Sequence, residues 1–157
     1  MMLHANAKVK IKLATEDGED CGYLKVTGHN NLDPFVSHVS EADATVLVLE
    51  QVKHADDAFY YRIADSTLYI DFSRTNDLLC AFRVELPVSL SSACAWKLTE
   101  NNELEVIYLG RSPTNVFISP ACNARQEERT AHDKNLVFCN YIGSGTVKPY
   151  KVQLIAQ

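Results

Sequence analysis

The stretch Ala93 to Ser119, ACAWKLTENNELEVIYLGRSPTNVFIS, decides how the rest of the chain is read. Cys94 to Leu98 alternates around Trp96 and Leu98. Leu104 to Leu109 alternates through Leu104, Val106 and Tyr108, and Val116 to Ser119 is a third, short β-prone run. Glu100-Asn101-Asn102 separates the first two runs, and Gly110-Arg111-Ser112-Pro113 the last two. Two-residue alternation broken by Asn, Gly and Pro predicts antiparallel strands joined by tight turns.

The same layout occurs three times. Upstream, Lys8–Ala14, Tyr23–Val26, Phe35–Val39 and Ala44–Gln51 read as four strands, followed by Phe59–Ala64, Leu68–Phe72, Cys80–Leu86 and Cys94–Thr99. The third set is Leu104–Leu109, Val116–Ser119, Leu136–Tyr141 and Tyr150–Ile155. Second strands begin near Leu24, Leu68 and Val116, and fourth strands centre on Val46, Trp96 and Val152. A recurring unit of four strands is a repeat architecture. Propellers typically need at least four blades, so three units predict an all-β, β-trefoil fold: a six-stranded barrel with a hairpin cap, closed so that no strand edge is left bare. The domain is expected to span residues 1–157, with units of about 8–53, 58–101 and 103–157. A twelve-stranded, two-sheet sandwich is the competing architecture. The polar segment Asn123 to Lys134 reads as a surface loop insertion.

A chain of 157 residues is long enough for one substantial core. Its 46% apolar and 22% charged residues are those of a folded domain. The net charge of -5 disfavours nucleic acid and other polyanions as partners. No apolar run reaches the length of a membrane helix, and the first residues, MMLHANAKVK, do not form a signal peptide. No membrane insertion is expected.

Chemistry-bearing motifs are scarce. The five cysteines, Cys21, Cys80, Cys94, Cys122 and Cys139, form no CxxC pair and are odd in number, so free thiols packed as small hydrophobes are expected. The five histidines make no HExxH or other ligand spacing, and no calcium-loop pattern, GxSxG or phosphate loop occurs. Gly143-Ser144-Gly145 precedes a strand, where a phosphate loop needs a helix. The expectation is a non-enzyme without catalytic residues, metal or cofactor, which recognises its partner through loops on a rigid scaffold. Trp96 alternates like a core residue; a sugar-stacking role is the alternative.

The layout resembles the β-trefoil superfamily over essentially the whole chain. Ricin-type lectins usually carry QxW in each fourth strand, whereas here only Cys94-Ala95-Trp96 holds a Trp and no unit has the Gln. Fibroblast growth factors need clustered cations where Gly143 to Lys148 offers one. The runs Asn101-Asn102-Glu103-Leu104-Glu105-Val106 and Ser112-Pro113-Thr114-Asn115-Val116-Phe117-Ile118-Ser119, with Leu68-Tyr69-Ile70, are similar to segments of the interleukin-1 cytokine family. The Pro turn is one residue longer than usual there, and Ser119-Pro120 replaces Ser-Thr. That resemblance implies a monomeric cytokine binding an immunoglobulin-like receptor ectodomain. It would be a cytoplasmic precursor, or extracellular through leaderless export. The implied contacts are Lys8, Lys10, Lys53, His54, Asp56, Ser89, Ser91, Lys97, Thr146 and Lys148. On the same scaffold, a lectin binding a glycan through Trp96 or a protease inhibitor is the alternative.

Overall fold

The computed structural model describes residues 3–53, 55–108, 113–121, 135–142 and 147–157. Twelve strands run through them: β1 (Lys8–Ala14), β2 (Asp20–Val26), β3 (Phe35–Val39), β4 (Leu47–Val52), β5 (Ala55–Ile63), β6 (Leu68–Phe72), β7 (Leu79–Arg83), β8 (Ala95–Leu98), β9 (Leu104–Ile107), β10 (Val116–Ser119), β11 (Phe138–Tyr141) and β12 (Lys151–Ala156). Each falls where alternation predicts a strand. Several boundaries move, and β2 starts at Asp20, three residues before Tyr23. The run from Ala44 enters β4 only at Leu47, because Ser40 first caps a 3₁₀ turn at Glu41–Asp43. β5 begins earlier than Phe59, β7 stops at Arg83 and β11 starts at Phe138. The segment Asn123 to Lys134, expected as a loop insertion, lies outside the described residues.

All twelve strands belong to one curled antiparallel sheet, not to two stacked sheets. β1, β4, β5, β8 and β9 are successive neighbours, and β12 returns to pair with β1 from Val9↔Ala156 to Ala14↔Lys151. At its other end β12 reaches the β8–β9 turn, where the Val152 amide donates to the Asn102 carbonyl at 2.7 Å. The remaining strands form three hairpins, β2–β3, β6–β7 and β10–β11. Isolated bridges tie them pairwise: Pro34↔Cys80, Val36↔Leu136 and Leu78↔Phe138. Phe35, Leu79 and Val137 meet where the hairpins converge, all fully buried. The Val137 amide donates to the Phe35 carbonyl at 3.1 Å, and the Leu79 amide to the Val137 carbonyl at 2.8 Å.

The main core lies inside the curl. Alternation delivers it: Val9, Ile11 and Leu13 from β1, Leu47 and Leu49 from β4, Phe59, Tyr61 and Ile63 from β5, Leu104 and Val106 from β9. Trp96 is 1% exposed, and its indole N–H donates to the Ile70 carbonyl at 3.1 Å. A second, smaller core sits on the outer wall, where Val88 and Leu90 pack over Ala58, Tyr60 and Ala95. Tyr60 meets Tyr69 edge-on there, with ring centroids 6.4 Å apart. β5 is consequently buried on both faces.

Cys21, Cys80, Cys94 and Cys139 are free and buried. Three of them surround one carboxylate. The Cys94 thiol donates to Asp71 Oδ1 at 2.8 Å, and Arg74 sits above the pair, with Nη1 3.7 Å from the same oxygen. Burial, then the nearby Asp71 charge, pushes Cys80 up to about 11 and holds Cys94 far above the ordinary thiol range. Burial does the same at Cys139.

Candidate binding groove

The expected contact residues do not converge on one place. Lys8 and Lys10 stand on β1, where Lys10 Nζ is tied to the Glu41 carbonyl at 2.6 Å. Lys53 is exposed at the β4–β5 turn; His54 and Thr146 lie outside the described residues, as does the side chain of Asp56. Ser89 and Ser91 are exposed on the loop that covers the outer wall, with their hydroxyls 2.8 Å apart. Lys97 stands on the same face of β8 as Ala95, half-buried and paired with Asp57 at 3.2 Å. Lys148 lines a groove of about 290 Å³ elsewhere. Lys8 and Lys10 share a face of β1, and Ser89 and Ser91 share a loop. Trp96 is unavailable for sugar stacking, because the core covers its ring and Ile70 takes its N–H.

A groove of about 800 Å³ lies elsewhere, and no expected residue lines it. Three segments build it: the end of β2 with the turn after it (25–29), the lead-in to β4 (43–46), and the β5–β6 turn (63–68). Local chemistry fixes each wall. Thr45 links the first two, its Oγ1 accepting from the Val26 amide at 2.9 Å while its own amide donates to the Leu24 carbonyl at 3.1 Å. The Ala64 amide donates to the Val46 carbonyl at 3.0 Å and joins the third segment to the second.

The β5–β6 turn is locked from within. Asp65 takes a left-handed conformation, φ 62°, which a short polar side chain tolerates. Ser66 Oγ donates to the Ile63 carbonyl at 2.8 Å and accepts from the Leu68 amide at 3.0 Å. On the opposite wall Gly28 lies against the Asp33 carboxylate. A Cβ there would come within 2.4 Å of Asp33 Oδ2, the oxygen that holds the Asn30 amide at 2.7 Å. Glycine therefore lets the turn fold back against Asp33.

The floor is aliphatic, with Val26, Val46, Ile63 and Leu68, and the rim is polar, with Lys25, His29, Asp43 and Asp65. Asp43 is held by Ser40, whose Oγ donates at 3.2 Å. Lys25, His29 and Asp65 engage no protein partner among the described residues. An apolar base with a few convergent polar groups is the usual construction of a small-ligand site. A groove of about 430 Å³ between β1, β12 and Asn102 is the next candidate, and two of its charged groups are committed. Lys151 there bonds the Asn101 carbonyl and Glu103, and Asp20 holds the Gly22 amide. Sequence reasoning missed the larger groove because its walls lie in three separate turns and carry no motif; the turn-rich Gly28 to Pro34 was the one local signal.

No family model matches the chain, and no curated protein matches it. Among solved structures, the GlcNAcα1-4Gal-releasing endo-β-galactosidase from Clostridium perfringens is similar, with a TM-score of 0.55 and 11% identity. The likeness covers 96% of this chain and 32% of that one, so this chain spans about a third of the enzyme's length. At that identity it is a likeness of fold.

Proposed function

We propose that the chain is a non-enzymatic recognition module on a β-trefoil scaffold, and that its ligand is a glycan. The trefoil reading is supported by the strand order β1-β4-β5-β8-β9 with β12 on β1, and by three hairpins bridged pairwise. The glycan reading rests on one observation: the open groove with an aliphatic floor and a rim of uncommitted hydrogen-bonding groups. Similarity to about a third of an enzyme that releases GlcNAcα1-4Gal agrees with it. Catalysis of that kind would use two carboxyl groups, one enclosed enough to stay protonated. Asp43 and Asp65 are both exposed at the rim, which favours binding without cleavage.

The test is a glycan array that includes GlcNAcα1-4Gal, run together with a hydrolysis assay. Retention of one glycan class with no released sugar is the expected result. Cleavage would overturn the non-enzymatic reading, and a blank array the glycan reading.

An interleukin-1-like ligand for an immunoglobulin-like receptor is the second reading. Its support is the outer wall, covered by the loop that carries the exposed Ser89 and Ser91, with Lys97 on β8 and Leu86 exposed. Binding of receptor ectodomains, lost in Lys97→Glu and absent from the array, would favour it.

A further inference from the structure

The three units meet at three corresponding junctions. Each joins the end of one unit's second strand, the lead-in to its fourth strand, and the first turn of the next unit. Between units one and two these are residues 25–29, 43–46 and 63–68, and they form the 800 Å³ groove. Between units three and one they are 120–121, 147–149 and 15–17, around about 290 Å³. Between units two and three the corresponding residues include Phe72, Arg74, Cys94 and Tyr108.

The junctions have diverged in what fills them. In the second, Arg74 lies over the Phe72 ring at 4.5 Å and the Tyr108 ring at 5.4 Å. Its Nη1 donates to the Phe72 carbonyl at 3.3 Å and its Nη2 faces Cys94 Sγ at 3.7 Å. A guanidinium stacked on two rings and bonded to the backbone is a built-in occupant. The third junction is lined by both Pro120 and Pro149 and encloses about 290 Å³, against about 800 Å³ at the first. The first has neither an occupant nor a narrowing. It also lacks any Phe, Tyr or Trp ring, so a ligand there is held chiefly by hydrogen bonds and charge.

We infer that the first junction is the chain's single ligand site, binding one hydroxyl-bearing sugar through Lys25, His29, Asp43 and Asp65. This rests on the glycan reading above and adds to it the place, the number of sites and the mode of contact. The arrangement makes the chain monovalent, although its scaffold has three comparable junctions.

The test is a backbone-amide NMR titration of the full chain with glucose, glucuronate and glucosamine, which share a ring and differ in charge. Shifts from at least one of the three should cluster at residues 25–29, 43–46 and 64–66 and fit one site. Asp65→Ala and Lys25→Ala should each alter that affinity about tenfold or more, whereas Arg74→Ala should leave it unchanged. Shifts centred on Ala121 and Lys148 or on Tyr108, a stoichiometry above one, or indifference to both groove variants would overturn the assignment while the array result stands. A blank titration with a positive array, its binding unaffected by Asp65→Ala and Lys25→Ala, would also overturn it. If neither array nor titration detects a sugar, the glycan reading itself falls.

Discussion

The Cys94 thiol donates a hydrogen bond to the Asp71 carboxylate across 2.8 Å, in a place where both residues are buried. The bond joins the start of β8 to β6, and Arg74 covers it from solvent. Removing the carboxylate strands a thiol and a guanidinium that were built around it. Asp71→Ala is expected to cost about 2 kcal/mol, the scale of leaving buried polar partners unmade. Asp71→Asn, which keeps an acceptor, should cost less. Urea denaturation of the three proteins measures the order.

Alkaline pH is expected to unfold the protein early. Cys80, Cys94 and Cys139 hold their protons more tightly when folded, because burial raises them above the ordinary thiol value of 9.0. Groups raised in this way stabilise the fold below about pH 9 and lose that contribution as the pH climbs toward about 11, where unfolded thiols ionise and folded ones still resist. Melting temperature should therefore be flat below about pH 9 and fall above it, and Cys80→Ala should make the fall shallower.

Trp96→Ala should destabilise by about 3–5 kcal/mol, the range for emptying a large aromatic from a core. Trp96→Phe fills part of the space and loses the bond to the Ile70 carbonyl, so it should fall between. A Trp96→Ala protein that keeps wild-type stability would mean the ring is not in the core.

Tyr61 carries the opposite kind of defect. Its hydroxyl is buried inside the curl with no hydrogen-bond partner among the described residues, and burial pushes its ionisation far up. Tyr61→Phe removes a desolvated group without opening a cavity. It should raise stability by about 1 kcal/mol, read as a higher urea midpoint.

Gly22 adopts φ 67° in β2, beside the register shift between β2 and β3. A Cβ there would approach His38 Cα and the Val39 carbonyl at 2.8 Å, both backbone atoms that cannot swing aside. Gly22→Ala should cost more than the roughly 1–2 kcal/mol of left-handed strain alone. Thermal melts give the comparison.

Alternation made the strands legible because each inward residue answers to one question, whether it faces the core. Val9, Ile11 and Leu13 could be placed on one face of β1 from the sequence, and they are. The both-sided burial of β5 was not legible, since Ala58 and Tyr60 are covered by Val88 and Leu90 from a loop some thirty residues away. The groove failed for the same reason. Lys25 near the end of β2, with Asp43 and Asp65 in turns, is an ordinary surface residue until the sheet curls and brings the three segments side by side. The cytokine-like segments around Asn102 and Pro113 describe how strands are joined, and strands joined alike serve unlike partners.

The pairing of β1 with β12 also sets a schedule for synthesis. β1 finds its full complement of neighbours only once β12 has been made, and the third hairpin cannot bridge the other two until Leu136 and Phe138 are made. A nascent chain cut short before Lys151 holds β1 with one edge bare. Such a topology, rich in contacts between distant residues, folds slowly and after translation, and leaves its incomplete forms exposed to aggregation and to holding by chaperones.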